Sequence, residues 1–186
     1  MTTIAGISGS LRAHSFNGGL LRAAAESVPD GCSISVNSIR GVPLYDGDVE
    51  ASQGIPPAVT DLKQMIKTAD GLLLVTPEYN NGIPGVFKNA IDWLTRPPDE
   101  RMGVVAGKPV GLIGATPRNF GTAFSQDAWL PVLRVLGTQV WSGRLLWVNG
   151  AMGKFDDQGN LTDDGVKRQL VKYMAGFTEF VRRMKA

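Results

Sequence analysis

Apolar residues return along the chain in short runs, separated by polar stretches punctuated with glycine and proline. Five runs read as strands: Thr3 to Ser8, Ser33 to Ile39, Gly71 to Thr76, Pro109 to Ile113 and Thr138 to Val148. The third, GLLLVT, is continuous rather than alternating, the pattern of a central parallel strand covered on both faces. Between the runs the apolar spacing changes to three and four. Leu20, Leu21 and Ala24 share one face of a helix over Asn17 to Ser27, which stops before the turn Pro29-Asp30-Gly31. Val59, Leu62, Met65 and Ile66 form a stripe over Pro57 to Thr68. A third helix starts at Pro84, a residue suited to a first turn, carries Val86, Phe87, Ala90, Ile91 and Leu94, and ends at Arg96-Pro97-Pro98.

The segment Phe124 to Leu136 also has helical spacing but contains Pro131, which removes a hydrogen bond and predicts a kink or a late start. The last helix, Thr162 to Lys185, turns Val166, Leu170, Met174, Phe177 and Val181 inward. Thr162 is its expected cap, with Asp163 and Asp164 opposing the helix dipole in the first turn. Strand and helix alternate about five times, which predicts an α/β doubly wound sheet. The length of 186 residues fits one domain, 1–186.

Composition narrows the chemistry. With 43% apolar and 19% charged residues the chain has the balance of a folded protein. Its 19 basic and 17 acidic residues leave +2, too weak a field to argue for a nucleic-acid partner. One cysteine, Cys32, and one histidine, His14, make neither an internal disulfide nor a protein zinc site, so no metal is expected and a reducing compartment fits. No run approaches the roughly eighteen apolar residues of a membrane span, and the start lacks a basic stretch followed by an apolar one. A cytoplasmic protein without membrane insertion is expected. Asn160-Leu161-Thr162 matches a glycosylation sequon by chance in that setting.

In an open parallel sheet, ligands bind past the carboxyl ends of the strands where the strand order reverses. Three loops therefore matter. The first, Gly9 to Asn17, lacks both the G-x-G-x-x-G fingerprint and the Walker pattern. It offers small hydroxyl residues, an arginine and a helix amino end, which suit a phosphate monoester. The same residues also suit a plain capped turn, with Ser15 or Asn17 as the cap. The second loop, Thr76 to Gly85, has two prolines and two glycines that fix its path, so its backbone groups can face a planar heteroaromatic ring. The third, Gly114 to Thr122, is again small and polar.

The strings GSLRAHSFN at 9–17, PLYD at 43–46 and TPEYNNGIPGVFKNAIDW at 76–93 resemble the NADPH-dependent FMN reductase family, which includes bacterial quinone and chromate reductases. The resemblance extends along nearly the whole chain, and the long central string is its most specific part. It implies a flavodoxin-like fold with a five-stranded parallel sheet in the order 2-1-3-4-5, helices on both faces and FMN bound non-covalently at the sheet edge. By the same resemblance Ser10, Arg12, Ser15, Phe16 and Asn17 would hold the FMN phosphate. Pro77, Glu78, Tyr79 and Asn80 would run along the isoalloxazine, and Gly114 to Thr116, Thr116 above all, would flank the ribityl chain or ring. Tyr45 and Asp46 would approach the flavin of a neighbouring subunit in a homodimer or homotetramer, where the segments around Trp93 and Trp129 could bury an interface. One departure stands out: Gly121-Thr122-Ala123-Phe124 occupies a G-G-A-R-like run, so Phe124 replaces an arginine. That change bears on oligomer contacts, the nicotinamide pocket and the acceptor range.

The resemblance implies an oxidoreductase in which NADPH or NADH reduces FMN, and a quinone, chromate, azo or nitro compound or free flavin takes two electrons. No catalytic side-chain acid or base is obligatory for that chemistry, with Tyr79 and Asn80 positioning the ring. A non-catalytic electron carrier or regulatory module of the same fold is the alternative. Carriers of this fold are usually strongly acidic, and +2 speaks against it. His14 beside Ser15 lacks the nucleophile elbow of a hydrolase, Cys32 reads as a small buried hydrophobe, and the basic residues of the last helix read as a solvated face.

Overall fold

The computed structural model describes residues 1–185, with Arg101 and Met102 given by their backbone alone. Strands β1 (Thr2–Ser8), β2 (Cys32–Ser38), β3 (Gly71–Val75), β4 (Pro109–Ala115) and β5 (Gln139–Val140) form a parallel sheet in the order β2-β1-β3-β4-β5, and β6 (Trp147–Val148) also pairs with β4. The helices are α1 (Phe16–Glu26), α2 (Gly47–Gln53), α3 (Pro57–Thr68), α4 (Gly85–Trp93), α5 (Arg101–Val104), α6 (Ala123–Val135) and α7 (Asp164–Lys185).

Alternate side chains of the central strands enter opposite cores, because successive Cβ atoms of a strand point to opposite faces. Ile4, Leu73, Val75 and Ile113 join α1 and α7 on one face, while Ala5, Ile7, Leu72, Leu74 and Leu112 join α3, α4 and α6 on the other. Both faces are thus apolar, which is why GLLLV reads as an unbroken run. Burying each large aliphatic side chain stabilises by about 1.5–3 kcal/mol. Trp93 and Trp129 are both fully buried within this chain, Trp129 in the second of these cores and Trp93 against the Tyr45 ring.

The fifth strand differs from the expected single run over 138–148. It consists of the two short pieces β5 and β6, which pair with the start and the end of β4. Trp141 turns out of line between them and packs edge-on against Tyr173, with ring centroids 4.8 Å apart. Its indole also lies against α7 at Gly176, where a Cβ would come within 2.8 Å of it. Tertiary burial of one indole therefore outweighs the local strand pattern.

Two helix ends also depart from expectation. Helix α6 starts at Ala123 and runs through Pro131 without interruption. Proline removes the bond to the Asp127 carbonyl, but both residues lie on the exposed face, where solvent reaches that carbonyl. Trp129 and Leu133 hold the opposite face in the core. Helix α7 is capped by Asp163, whose Oδ1 accepts from the Val166 N–H at 2.7 Å. Thr162 instead donates its hydroxyl to the Lys154 carbonyl at 3.1 Å, in the turn that joins Phe155 to Leu161. Helix α2 has no buried residue, so no apolar stripe announces it; Asp46 caps it and Glu50 ties it to Arg96 at 2.8 Å.

Candidate functional site

The sheet order reverses between β1 and β3: the chain goes outward to β2 on one side and to β4 on the other. β1 and β3 stay paired through Ser8 and Val75, and just past their carboxyl ends a cavity of about 250 Å³ opens. The loops after β1, β3 and β4 line it.

The loop after β1 forms one end. Ser15 caps α1, its Oγ accepting from the Gly18 N–H at 2.9 Å. Ser10 Oγ accepts from the Arg12 N–H at 3.4 Å, and the Arg12 guanidinium stands 5.0 Å from the centre of the Phe16 ring. The first N–H groups of α1 have no acceptor within the helix. A guanidinium, two hydroxyls and a helix amino end therefore converge on one wall, a donor set suited to a doubly charged phosphate ester. Asn17 has a different role with its side chain. Its Nδ2 donates to the Ala115 carbonyl at 2.8 Å and its Oδ1 accepts from the Ala115 N–H at 2.9 Å. The amide thus substitutes for a strand neighbour where β3 has turned away from the end of β4.

The loop after β3 is fastened to α6. Thr76, fully buried, shares a hydrogen bond with Ser125 Oγ at 2.8 Å and accepts from Trp129 Nε1 at 3.0 Å. Glu78 accepts from the Ser125 N–H at 3.1 Å, placing a carboxylate at the amino end of α6. Beyond it, Tyr79 and Gly82 exchange backbone hydrogen bonds across Asn80 and Asn81, whose φ values are +50° and +60°. Asparagine tolerates this left-handed pair better than most residues, and the result is a tight hairpin turn. Pro77, Glu78 and Tyr79 line the cavity; Asn80 belongs to the exposed turn and does not.

The end of β4 and the loop after it supply Ala115, Thr116 and Pro117. The Thr116 N–H donates to the Val148 carbonyl at 2.9 Å and its own carbonyl accepts from the Ala151 N–H at 3.1 Å. This pairing brings Met152 onto the cavity. Gly121 closes the loop at φ +64°, with Trp147 so near that a Cβ would meet its Cβ at 2.6 Å.

The structure thus gathers Ser10, Arg12, Ser15, Phe16, Asn17, Pro77, Glu78, Tyr79 and Thr116 around one cavity. Tyr45 and Asp46 lie apart from it. The Tyr45 ring packs edge-on against Trp93 with centroids 5.0 Å apart, and its hydroxyl meets Glu50 at 3.0 Å. That hydrogen bond holds the Tyr45 phenol above its ordinary range, while the Arg96 hydrogen bond holds Glu50 below the usual carboxylate range. Sequence reading missed Met152, since nothing in Asn149 to Gly153 marks a binding residue before the return of the chain to Thr116 is known. Among the described residues there is no cluster of metal-ligating side chains and no helix long and apolar enough to cross a membrane.

A parallel sheet ordered 2-1-3-4-5, with a phosphate-suited loop after its first strand and a cavity at the switch point, defines a flavodoxin-like α/β protein. The family of NADPH-dependent FMN reductases matches residues 2–152, and the chain belongs to it. It is 40% identical to an NAD(P)H-dependent FMN reductase of Pseudomonas aeruginosa over 182 residues, covering 98% of this chain and 96% of that one. A quinone reductase of Escherichia coli is 39% identical over 181 residues, 95% of this chain and 94% of the other. The solved structure of the flavoenzyme NAD(P)H:(acceptor) oxidoreductase FerB from Paracoccus denitrificans superposes with a TM-score of 0.86 at 30% identity, over 98% of both chains.

Proposed function

We propose that this chain is an FMN-dependent NAD(P)H oxidoreductase that reduces quinones. The observation that carries the reading is the donor set at the β1 end of the cavity, within one pocket of the hairpin-bounded loop after β3. This set fits FMN. Ser10, Arg12, Ser15 and the first N–H groups of α1 would hold the phosphate, with Phe16 beneath the Arg12 guanidinium and Asn17 bracing the helix start. Thr116 would flank the ribityl chain, and the Pro77–Tyr79 backbone would run along the ring.

When bound, FMN supplies the redox centre that links a reduced nicotinamide to a two-electron acceptor. The net reaction takes a hydride equivalent from NAD(P)H and a proton from solvent to convert a quinone to its hydroquinone. The chain's own part is positional. Arg12 neutralises phosphate charge, Pro77 and the Tyr79–Gly82 turn fix the loop path, and the Glu78 contact to Ser125 keeps that loop in register with α6. No lining side chain is needed as a nucleophile or proton carrier.

Asn80 belongs to the proposal as the turn residue that aims the loop at the ring. Tyr45 and Asp46 belong to it as groups presented to a neighbouring copy in a homodimer or homotetramer. The same reading takes 1–186 as one FMN-binding domain working in the cytoplasm. The test is to load the purified protein with FMN, exclude oxygen, add NADPH and follow the visible flavin absorption, then add a benzoquinone. Bleaching followed by recovery is expected. Bound FMN that neither NADPH nor NADH bleaches would overturn the reading and favour an electron carrier.

A further inference from the structure

The chain returns to the loop after β1 from far along the sequence. Shortly before α7, residues 155–161 form a small hairpin closed by Phe155 and Leu161, both buried in the core that α1 and α7 share. We propose that this hairpin is a strap that holds the loop after β1 in its phosphate-binding shape, with Asp156 and Gly159 as positioning residues for FMN. The inference rests on the FMN reading above and adds to it two residues outside the flavin cavity.

Backbone lies on backbone where the strap meets the loop. Gly159 has φ +74°, and a Cβ on it would come within 2.9 Å of the His14 carbonyl carbon and oxygen. A Cβ on Gly19, in the first turns of α1, would overlap the Gly159 carbonyl oxygen. Two glycines thus let the strap press directly on the loop and on the helix start, at a distance no side chain allows. Arg22 adds a tie from the next turn of α1, its Nη2 donating to the Gly159 carbonyl at 3.3 Å and to Asn160 Oδ1 at 2.9 Å. The Phe155 ring packs on Phe16 with centroids 5.2 Å apart, and the Arg12 guanidinium stands 5.0 Å from the centre of that same Phe16 ring. Contacts therefore run unbroken from the phosphate wall to the strap.

One carboxylate holds the strap's own shape. Asp156 Oδ1 accepts from the Gln158 N–H at 3.0 Å and the Asn160 N–H at 2.7 Å, and its Oδ2 accepts from Asn160 Nδ2 at 3.1 Å. These bonds fix the residues on either side of Gly159 and so aim its carbonyl at Arg22. Among the described residues the strap makes no hydrogen bond to the loop after β3. Loosening it should disturb the phosphate end and leave the ring end alone. The effect is one of population: a molecule whose loop has left the competent shape cannot hold the phosphate, so the apparent Kd rises as the competent fraction falls. Charge acts with the opposite sign. Asp156 and Arg12 line one further cavity, of about 370 Å³, so removing the carboxylate would by Coulomb repulsion alone tighten the binding of a phosphate nearby.

Fluorescence titration of the flavin-free chain with FMN and with riboflavin, which lacks only the phosphate, tests this. The wild type should bind FMN the more tightly. Asp156→Ala should raise the FMN Kd about three- to tenfold, the effect of losing one or two ordinary hydrogen bonds, and leave the riboflavin Kd within about twofold. Asp156→Asn keeps an oxygen for the two N–H groups and should restore the FMN value. Gly159→Ala, with its Cβ against His14, should weaken FMN at least as much as Asp156→Ala. Should that variant fail to fold, Asp156→Ala, at an exposed turn, carries the test. An FMN Kd within about twofold of wild type in Asp156→Ala, or an equal weakening of both flavins, would overturn the strap. A wild type that binds riboflavin as tightly as FMN would overturn the phosphate reading of the loop itself, which separates the two failures.

Discussion

Asn17→Ala tests how the cavity is held open. The Asn17 amide makes both hydrogen bonds to the backbone of Ala115, at 2.8 and 2.9 Å. Asn17 is 4% and Ala115 2% exposed, so water cannot readily replace the lost partners. Leaving a buried donor and a buried acceptor unsatisfied costs about 1–3 kcal/mol each, or about 2–6 kcal/mol for the pair. Against a total stability of about 5–15 kcal/mol, that is a large loss. Urea unfolding of the FMN-free protein should show a lower midpoint with an unchanged slope. FMN titration should show weaker binding, because α1 and the end of β4 form facing walls of the site. Asn17→Asp keeps the acceptor for the Ala115 N–H but loses the donor and brings a negative charge to the phosphate end. It should therefore lower FMN affinity more than Asn17→Ala, with an equal or larger loss of stability because a buried carboxylate oxygen would face the Ala115 carbonyl oxygen. An alanine variant within about 0.5 kcal/mol of wild type would refute the reasoning, since surface substitutions reach only that size.

Arg12→Ala should weaken FMN binding about 10- to 100-fold, the worth of one charge-assisted hydrogen bond, while leaving the apo melting curve in place; unchanged affinity in a fluorescence titration would remove Arg12 from the phosphate set. Gly121→Ala combines a left-handed φ of +64° with a Cβ 2.6 Å from that of Trp147, and should destabilise by about 1–3 kcal/mol in denaturant melts. Acid should weaken the fold in a defined direction. Glu50, held down by its Arg96 hydrogen bond, Glu100 by Lys63 and Asp156 by the Asn160 N–H all lie below their ordinary values of 4.5, 4.5 and 3.8. A depressed folded-state pKa gives stability that is present above the unfolded value and lost as pH falls through the folded one. Thermal melts should hold from neutrality to about pH 5 and decline below, with a shallower decline in Glu50→Gln; a melting temperature that rises on acidification would contradict the assignment.

Much of the fold and of the cavity lining is legible in the sequence, for reasons that particular residues make clear. GLLLV at 71–75 identifies a strand covered on both faces, and strand alternation with helices points to loops 9–17 and 76–85 as the crevice. Residues whose role is a local cap or turn, such as Ser15, were equally open to sequence reasoning. Contacts between distant segments were not. Trp141 leaves the fifth strand because Gly176 leaves room for it, and Met152 reaches the cavity only through the pairing of Thr116 with Val148 and Ala151. Asn80 illustrates an intermediate case. Its string resembles a flavin-contacting one, but two successive left-handed residues place it in the exposed turn beyond the cavity wall. Pro131 escapes its local rule because it and Asp127 both lie on the exposed face of α6.

The interruption between β5 and β6 also affects how the protein behaves at high concentration. A long outer strand exposes a row of unpaired peptide groups on which a second chain can build a cross-molecule sheet. Here that border is broken into pieces of two residues each, separated by the segment in which Trp141 folds back on α7. No continuous template for strand addition exists on this side. Self-association there must use side-chain surfaces of helices and loops, and sheet growth into fibrils from this border would first require extracting a half-buried indole from α7.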